Sequence, residues 1–182
     1  MKQITIKLYE FEELSREAKD HALEIYRNED DHTPFLTDDL REYVHEELKE
    51  AGYKVIGRST SANPSIRPHY SLSHSQGDGL MFEGTIEDPE GNIYTIKHVG
   101  HYAHERSTNI VGYDKNDREI DTENFEENFY IPLCKQIAQR GYDELEYADS
   151  EEFFAQICEA SNYLFEEDGT IRELITTKGG DY

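Results

Sequence analysis

The stretch Tyr70-Ser71-Leu72-Ser73-His74-Ser75-Gln76, Gly77-Asp78-Gly79, Leu80-Met81-Phe82-Glu83-Gly84 decides the fold. Its outer parts read as two strands, and its centre carries Asp-Gly. That dipeptide supplies the positive φ values a tight hairpin turn needs. The stretch therefore predicts two antiparallel strands. A second turn, Asp88-Pro89-Glu90-Gly91-Asn92, leads into a third strand over residues 93–99. The result is a meander, with residues 59–68 ahead of it reading as loop and residues 53–58 as a short strand.

Upstream, Ile4, Ile6 and Leu8 alternate with Thr5 and Lys7, the pattern of a half-buried strand that could join the meander. Ser15 is a good N-cap, and Ala18, Ala22, Ile25 and Tyr26 form the apolar stripe of a first helix. A second helix begins near Thr33-Pro34 or Thr37. Its stripe is Leu36, Leu40, Tyr43, Val44, Leu48 and Ala51, and Gly52 is its stop. In the C-terminal third, Phe125, Phe129, Leu133 and Ile137 recur at four-residue spacing, with Pro132 either kinking that helix or starting a new one. Ser150 caps a last helix with Phe153, Phe154, Ile157, Cys158 and Leu164 facing inward. Glu167-Asp168-Gly169 turns into a final strand over residues 170–175. The expectation is an α+β fold: an antiparallel meander of about four or five strands against about four helices, one domain over residues 1–182.

Composition narrows the function. The 182 residues carry 40 Asp and Glu against 18 Lys and Arg, a net charge of −22. A protein that grips nucleic acid through its own surface needs Lys and Arg to neutralise phosphates, so direct binding of that kind is excluded. Attraction to an anionic membrane is excluded likewise. No apolar run approaches the roughly 20 residues that span a bilayer. Two cysteines, Cys134 and Cys158, make no disulfide framework. They sit on helical apolar stripes as buried thiols, and an intracellular, cytoplasmic setting fits them. The 13 Tyr and 8 Phe argue for a folded chain rather than an acidic disordered one.

Candidate chemistry is sparse. Five histidines cluster in the sheet region: His69, His74, His98, His101 and His104. His74 and His98 could pair across the sheet as general acid and base of a metal-independent nuclease, with Lys97 or Arg106 stabilising the phosphorane. His98, His101 and His104 recur every third residue, and could hold a metal only if a turn at Gly100 re-aimed them, since strand side chains alternate. Gly77-Asp78-Gly79 lacks the Lys and the following helix of a phosphate loop. No motif requires a cofactor.

The acids say more. Between residues 117 and 168, sixteen acidic residues face three basic ones, a net of −13. A second cluster is Glu29, Asp30, Asp31, Asp38, Asp39, Glu42, Glu46 and Glu47. Solvated helix faces usually mix signs, because Glu–Lys pairs support them; here most of the basic partners are missing. A single-sign field costs stability through self-repulsion, which is explained if the surface is complementary to a basic partner, as in a DNA mimic. The residues expected at that contact are Asp30, Asp31, Asp38, Asp39, Glu42 and Glu46, with Asp143, Glu144, Glu146, Asp149, Glu151 and Glu152.

Three stretches resemble one group of proteins. Leu8-Tyr9-Glu10-Phe11-Glu12-Glu13-Leu14-Ser15-Arg16-Glu17-Ala18-Lys19 is similar to the opening of small bacteriophage and prophage proteins. Ser73-His74-Ser75-Gln76-Gly77-Asp78-Gly79-Leu80-Met81-Phe82-Glu83-Gly84 resembles their Ser-Gln-Gly-Asp-Gly hairpin, and Phe165-Glu166-Glu167-Asp168-Gly169 their close. That group includes inhibitors of Cas9 in type II CRISPR systems, and in length and charge the chain resembles these anti-CRISPR proteins. The resemblance implies a phage-encoded protein that binds Cas9 or its guide RNA complex, by occlusion or by altering guide RNA handling. It carries over no functional residue. The alternatives are a histidine-based or metal-dependent nuclease, and an accessory protein that sequesters another basic host factor.

Overall fold

The computed structural model describes residues 6–28, 33, 35–57, 59–60 and 64–172. The chain is α+β and divides into two compact units: Pro34–Glu144, and Met1–Thr33 together with Leu145–Tyr182.

The larger unit is built on a six-stranded antiparallel sheet. Its strands are β1 (Lys54–Ile56), β2 (Ile66–Ser71), β3 (Gly79–Glu87), β4 (Ile93–His98), β5 (Thr108–Tyr113) and β6 (Glu119–Ile120). Strand β3 is the hub. One of its edges carries β2 along residues 79–84 and β1 along residues 85–87. The other edge carries β4 only from Gly84 to Glu87. The register aligns Ile66, Gly84, Ile96 and Ile110 in one row across the sheet. Gly84 has no side chain because an added Cβ would lie 2.5 Å from Ile66 Cδ1. Helix α2 (Leu36–Glu50) buries Leu36, Leu40, Val44 and Leu48 at the four-residue period of its sequence. A short helix α3 (Glu123–Phe125) passes through one π turn (Glu126–Tyr130) into α4 (Ile131–Ala148). Pro132 therefore lies in the first turn of a renewed α-helix, where its missing N–H costs least.

Where β4 leaves β3, two backbone groups of the hub need other partners. Backbone polar groups alternate between the two edges of a strand; Pro68, with no N–H, is tolerated opposite Phe82 on β2 because the polar groups of Phe82 face the other edge. There the fully buried Tyr130 accepts from Phe82 N–H (3.1 Å) and donates to Phe82 C=O (3.0 Å). One hydroxyl from the π turn replaces a missing strand. Nearby, Tyr94 stacks on Phe125 at 3.9 Å and Tyr53 on Phe129 at 4.2 Å.

The smaller unit holds α1 (Arg16–Arg27), α5 (Glu151–Ser161) and a two-stranded sheet of β7 (Leu164–Phe165) and β8 (Ile171–Arg172). Ser15 caps α1 by accepting from Ala18 N–H, and Ser150 caps α5 by accepting from Phe153 N–H, as the sequence predicts. Phe11, Leu23, Tyr26, Phe154, Cys158 and Phe165 form its core. Tyr26 stacks on Phe154 at 4.6 Å, and Phe11 meets Phe154 edge-on at 5.1 Å. Each such aromatic contributes about 1.5–3 kcal/mol by burial.

Several expectations are corrected. The hairpin is not a tight Asp-Gly turn: β2 ends at Ser71, β3 starts at Gly79, and residues 72–78 form a loop. Its serines bond a side chain instead of a strand, and His74 adopts φ 58, incompatible with extended backbone. Strand β2 begins at Ile66, inside the segment expected to be loop. Ile6 and Leu8 are not in a strand; Tyr9 exchanges both backbone hydrogen bonds with Phe165 at 2.9 Å, so this segment joins the small unit and not the meander. Ile4 lies outside the described residues, as do residues 173–175 of the expected final strand. Leu164 belongs to β7 rather than the last helix.

The Tyr130 bridge is testable. Tyr130→Phe leaves two buried backbone groups without partners and is expected to lower unfolding free energy by about 1–3 kcal/mol in urea titrations. Tyr113→Phe, at an exposed position, is expected to change it negligibly.

Candidate functional site

A polar loop, residues 72–78, lies on the larger unit, and one carboxylate organises it. Asp78 accepts from Ser71 Oγ (2.7 Å), Ser73 N–H (2.6 Å), Ser73 Oγ (2.9 Å) and Ser75 N–H (2.7 Å). The Ser71 hydroxyl, the Ser75 amide and the Ser73 donors pull its carboxyl down to about 2. Gly77, at φ +90, passes beneath the Tyr102 ring, where a Cβ would lie 3.0 Å from Cδ1. His74 is exposed and stacks on Tyr142 at 4.4 Å. The loop thus sets His74 against Tyr142 of α4 and Gly77 against the exposed Tyr102.

A second cluster surrounds Glu83 on β3. Its Oε1 accepts from His98 N–H (3.0 Å), and its Oε2 lies 3.0 Å from Arg67 Nη2 and 3.2 Å from His69 Nε2. Burial works to raise this carboxyl, but the His98 amide, His69 and Arg67 outweigh it and hold it below its ordinary range. The His69 and His98 rings stack at 4.8 Å. His98 Nε2 donates to Tyr102 C=O (3.0 Å).

These contacts decide how the histidines are arranged. His98 is brought to His69 and Glu83, while His74 is brought to Tyr142; the acid–base pair expected of His74 and His98 does not form. His104 Nδ1 accepts from Arg106 N–H (3.1 Å), and His101 is exposed in the same loop. The turn at Gly100 exists, with φ +86, yet it does not converge His98, His101 and His104: among the described residues no group of three His, Cys, Asp or Glu side chains is placed to hold a metal ion. Both cysteines are buried, and burial pushes each thiol up to about 12, which leaves no thiolate for nucleophilic chemistry.

The acidic residues divide between the two units. On α2, Asp38, Asp39, Glu42 and Glu46 are all exposed; Arg41 pairs with Asp38, and among the described residues no ion pair reaches the other three. Asp143 accepts from the Gln139 amide, and Glu144 accepts from Tyr43 O–H at 2.7 Å, which pushes that phenol up to about 12. In the smaller unit Glu151 bonds Arg16 at 2.8 Å, while Glu146, Asp149 and Glu152 are exposed with no ion pair among the described residues. Asp30 and Asp31 lie outside the described residues. Sequence reasoning missed Glu83 and the organising role of Asp78, although serines three, five and seven residues ahead of an Asp are the material of such a loop. No protein-family model, no curated protein and no solved structure matches the chain.

The depressed Asp78 fixes a pH dependence. Its loop bonds contribute fully above the unfolded carboxyl value near 3.8 and are lost as pH falls toward about 2. Protection of the Ser73 and Ser75 amides, measured against the intrinsic exchange rate at each pH, is expected to fall over that interval. Asp78→Ala is expected to produce about a tenfold acceleration already at neutral pH, with β3 core amides unchanged.

Proposed function

We propose that this protein binds a basic protein surface, and that its partner is the Cas9 effector or its guide RNA complex. The observation that carries the first part is the exposed face of α2. Asp39, Glu42 and Glu46 project from one helix without basic partners among the described residues, against the usual mixing of signs on a solvated helix. A row of carboxylates on a rigid helix is complementary to surfaces built to hold phosphates. The choice of Cas9 rests on the resemblance to phage anti-CRISPR proteins. Cas9 keeps its guide–target duplex in a positively charged channel and reads the adjacent motif with arginines, so an acidic body can compete there. Inhibition is by occlusion, with the carboxylates acting as binding groups and no covalent step.

The test is a titration of the purified protein into a Cas9 cleavage reaction, with target DNA and guide RNA resolved on one denaturing gel. DNA protected at stoichiometric protein, with an intact guide, is the expected result. The triple reversal Asp39→Lys, Glu42→Lys, Glu46→Lys is expected to weaken inhibition at least about tenfold, and His74→Ala to leave it unchanged. Full cleavage across several Cas9 orthologues contradicts the choice of partner, and a shortened guide at sub-stoichiometric protein contradicts occlusion.

A further inference from the structure

The last turn of α2 breaks the charge rule for helix ends. A helix C-terminus carries partial negative charge and favours cations, yet α2 closes on Glu46-Glu47-Leu48-Lys49-Glu50. Arg140 answers Glu47 at 2.6 Å, and among the described residues no ion pair reaches Glu50. Beside that end lies a cleft of about 200 Å³, whose lining includes Glu47, Glu50, Asn128, Phe129, Pro132 and Gln136. No lysine or arginine lines it.

The opposite wall is the π turn. Ile131 N–H reaches back to Glu126 C=O, and the next residue, Pro132, has no N–H to return. Asn128 spends its amide N–H on Asn124 Oδ1 (2.9 Å), which leaves its own Oδ1 as an acceptor. The Phe129 ring, fixed by stacking on Tyr53, supplies an apolar face with Pro132. The cleft thus offers the Glu50 carboxylate, the Asn128 side-chain oxygen and a flat ring. Its volume falls below the roughly 300–1,000 Å³ of small-molecule sites, which suits one side chain and not a metabolite.

We propose that this cleft seats a single arginine side chain of the basic protein partner. The guanidinium matches it better than an ammonium does, because its donors fan out in a plane and its face stacks on an aromatic ring. The proposal rests on the preceding reading that the partner is a basic protein, but it does not depend on that partner being Cas9.

The test uses the whole chain and a defined probe, N-acetyl-arginine amide, in an NMR titration, with N-acetyl-lysine amide as comparison. Saturable shifts confined to the Asn128 and Gln136 side-chain amides and the Phe129 backbone amide are expected, with Kd of about 1–10 mM for the arginine probe. Glu50→Gln is expected to weaken binding about threefold, the scale of one exposed ion pair, and Glu119→Gln to change nothing. No saturable shift, an equal response to the lysine probe, or an unchanged Kd in Glu50→Gln overturns the assignment. If arginine amide binds and Cas9 does not, the cleft stands and the choice of partner falls. If Cas9 binds and arginine amide leaves the cleft unperturbed, the reverse holds.

Discussion

The larger unit depends on how the backbone of Phe82 is satisfied. Among the described residues β3 is the only strand that pairs with three others, and over residues 79–83 one of its edges loses β4. Two side chains take over the hydrogen bonds. Tyr130 bridges Phe82 N–H and C=O, and Glu83 captures His98 N–H as β4 swings away. Burial pushes the Tyr130 phenol far above its ordinary range, so the donor half of that bridge persists at any physiological pH. The π turn ahead of Pro132 places Tyr130 on the inner side of the helical rod. The same turn opens the cleft beside α2.

What could be read from the sequence follows from local physics. The caps Ser15 and Ser150, the α2 stripe Leu36, Leu40, Val44 and Leu48, the Asp88 turn and the buried cysteines are decided by neighbours within a few residues, and each is found where expected. The errors arose where a side chain displaced a backbone partner. Ser-Leu-Ser-His-Ser alternates like a strand, but Asp78 takes its donors. Ile6 and Leu8 alternate too, while Tyr9 pairs with a residue more than a hundred and fifty positions away. Strand β5 carries a legible signal in Thr108, Ile110 and Val111, weakened by Asn109 and Gly112. The grouping of His69, Glu83 and His98 depends on the twist and splay of three strands and leaves no periodic trace.

The charge pattern separates into two kinds of acid. Asp78, Glu83 and Asp88 lie among backbone and side-chain donors and are held below their ordinary pKa; they are structural. The acids of α2 and of the segment around Asp149 have few internal partners, and their mutual repulsion works against the fold. That contrast within one chain is the physical basis for assigning the second kind to an external contact. It also explains why the histidines attract less weight: each ring among His69, His74, His98 and His104 already has an internal partner.

The central claim is that the unpaired carboxylates are the working surface, and the association rate with the Cas9–guide RNA complex tests it most directly. The account predicts a rate constant that falls about tenfold or more as salt rises from about 50 to about 500 mM, with dissociation changing far less. An association rate indifferent to salt would contradict it.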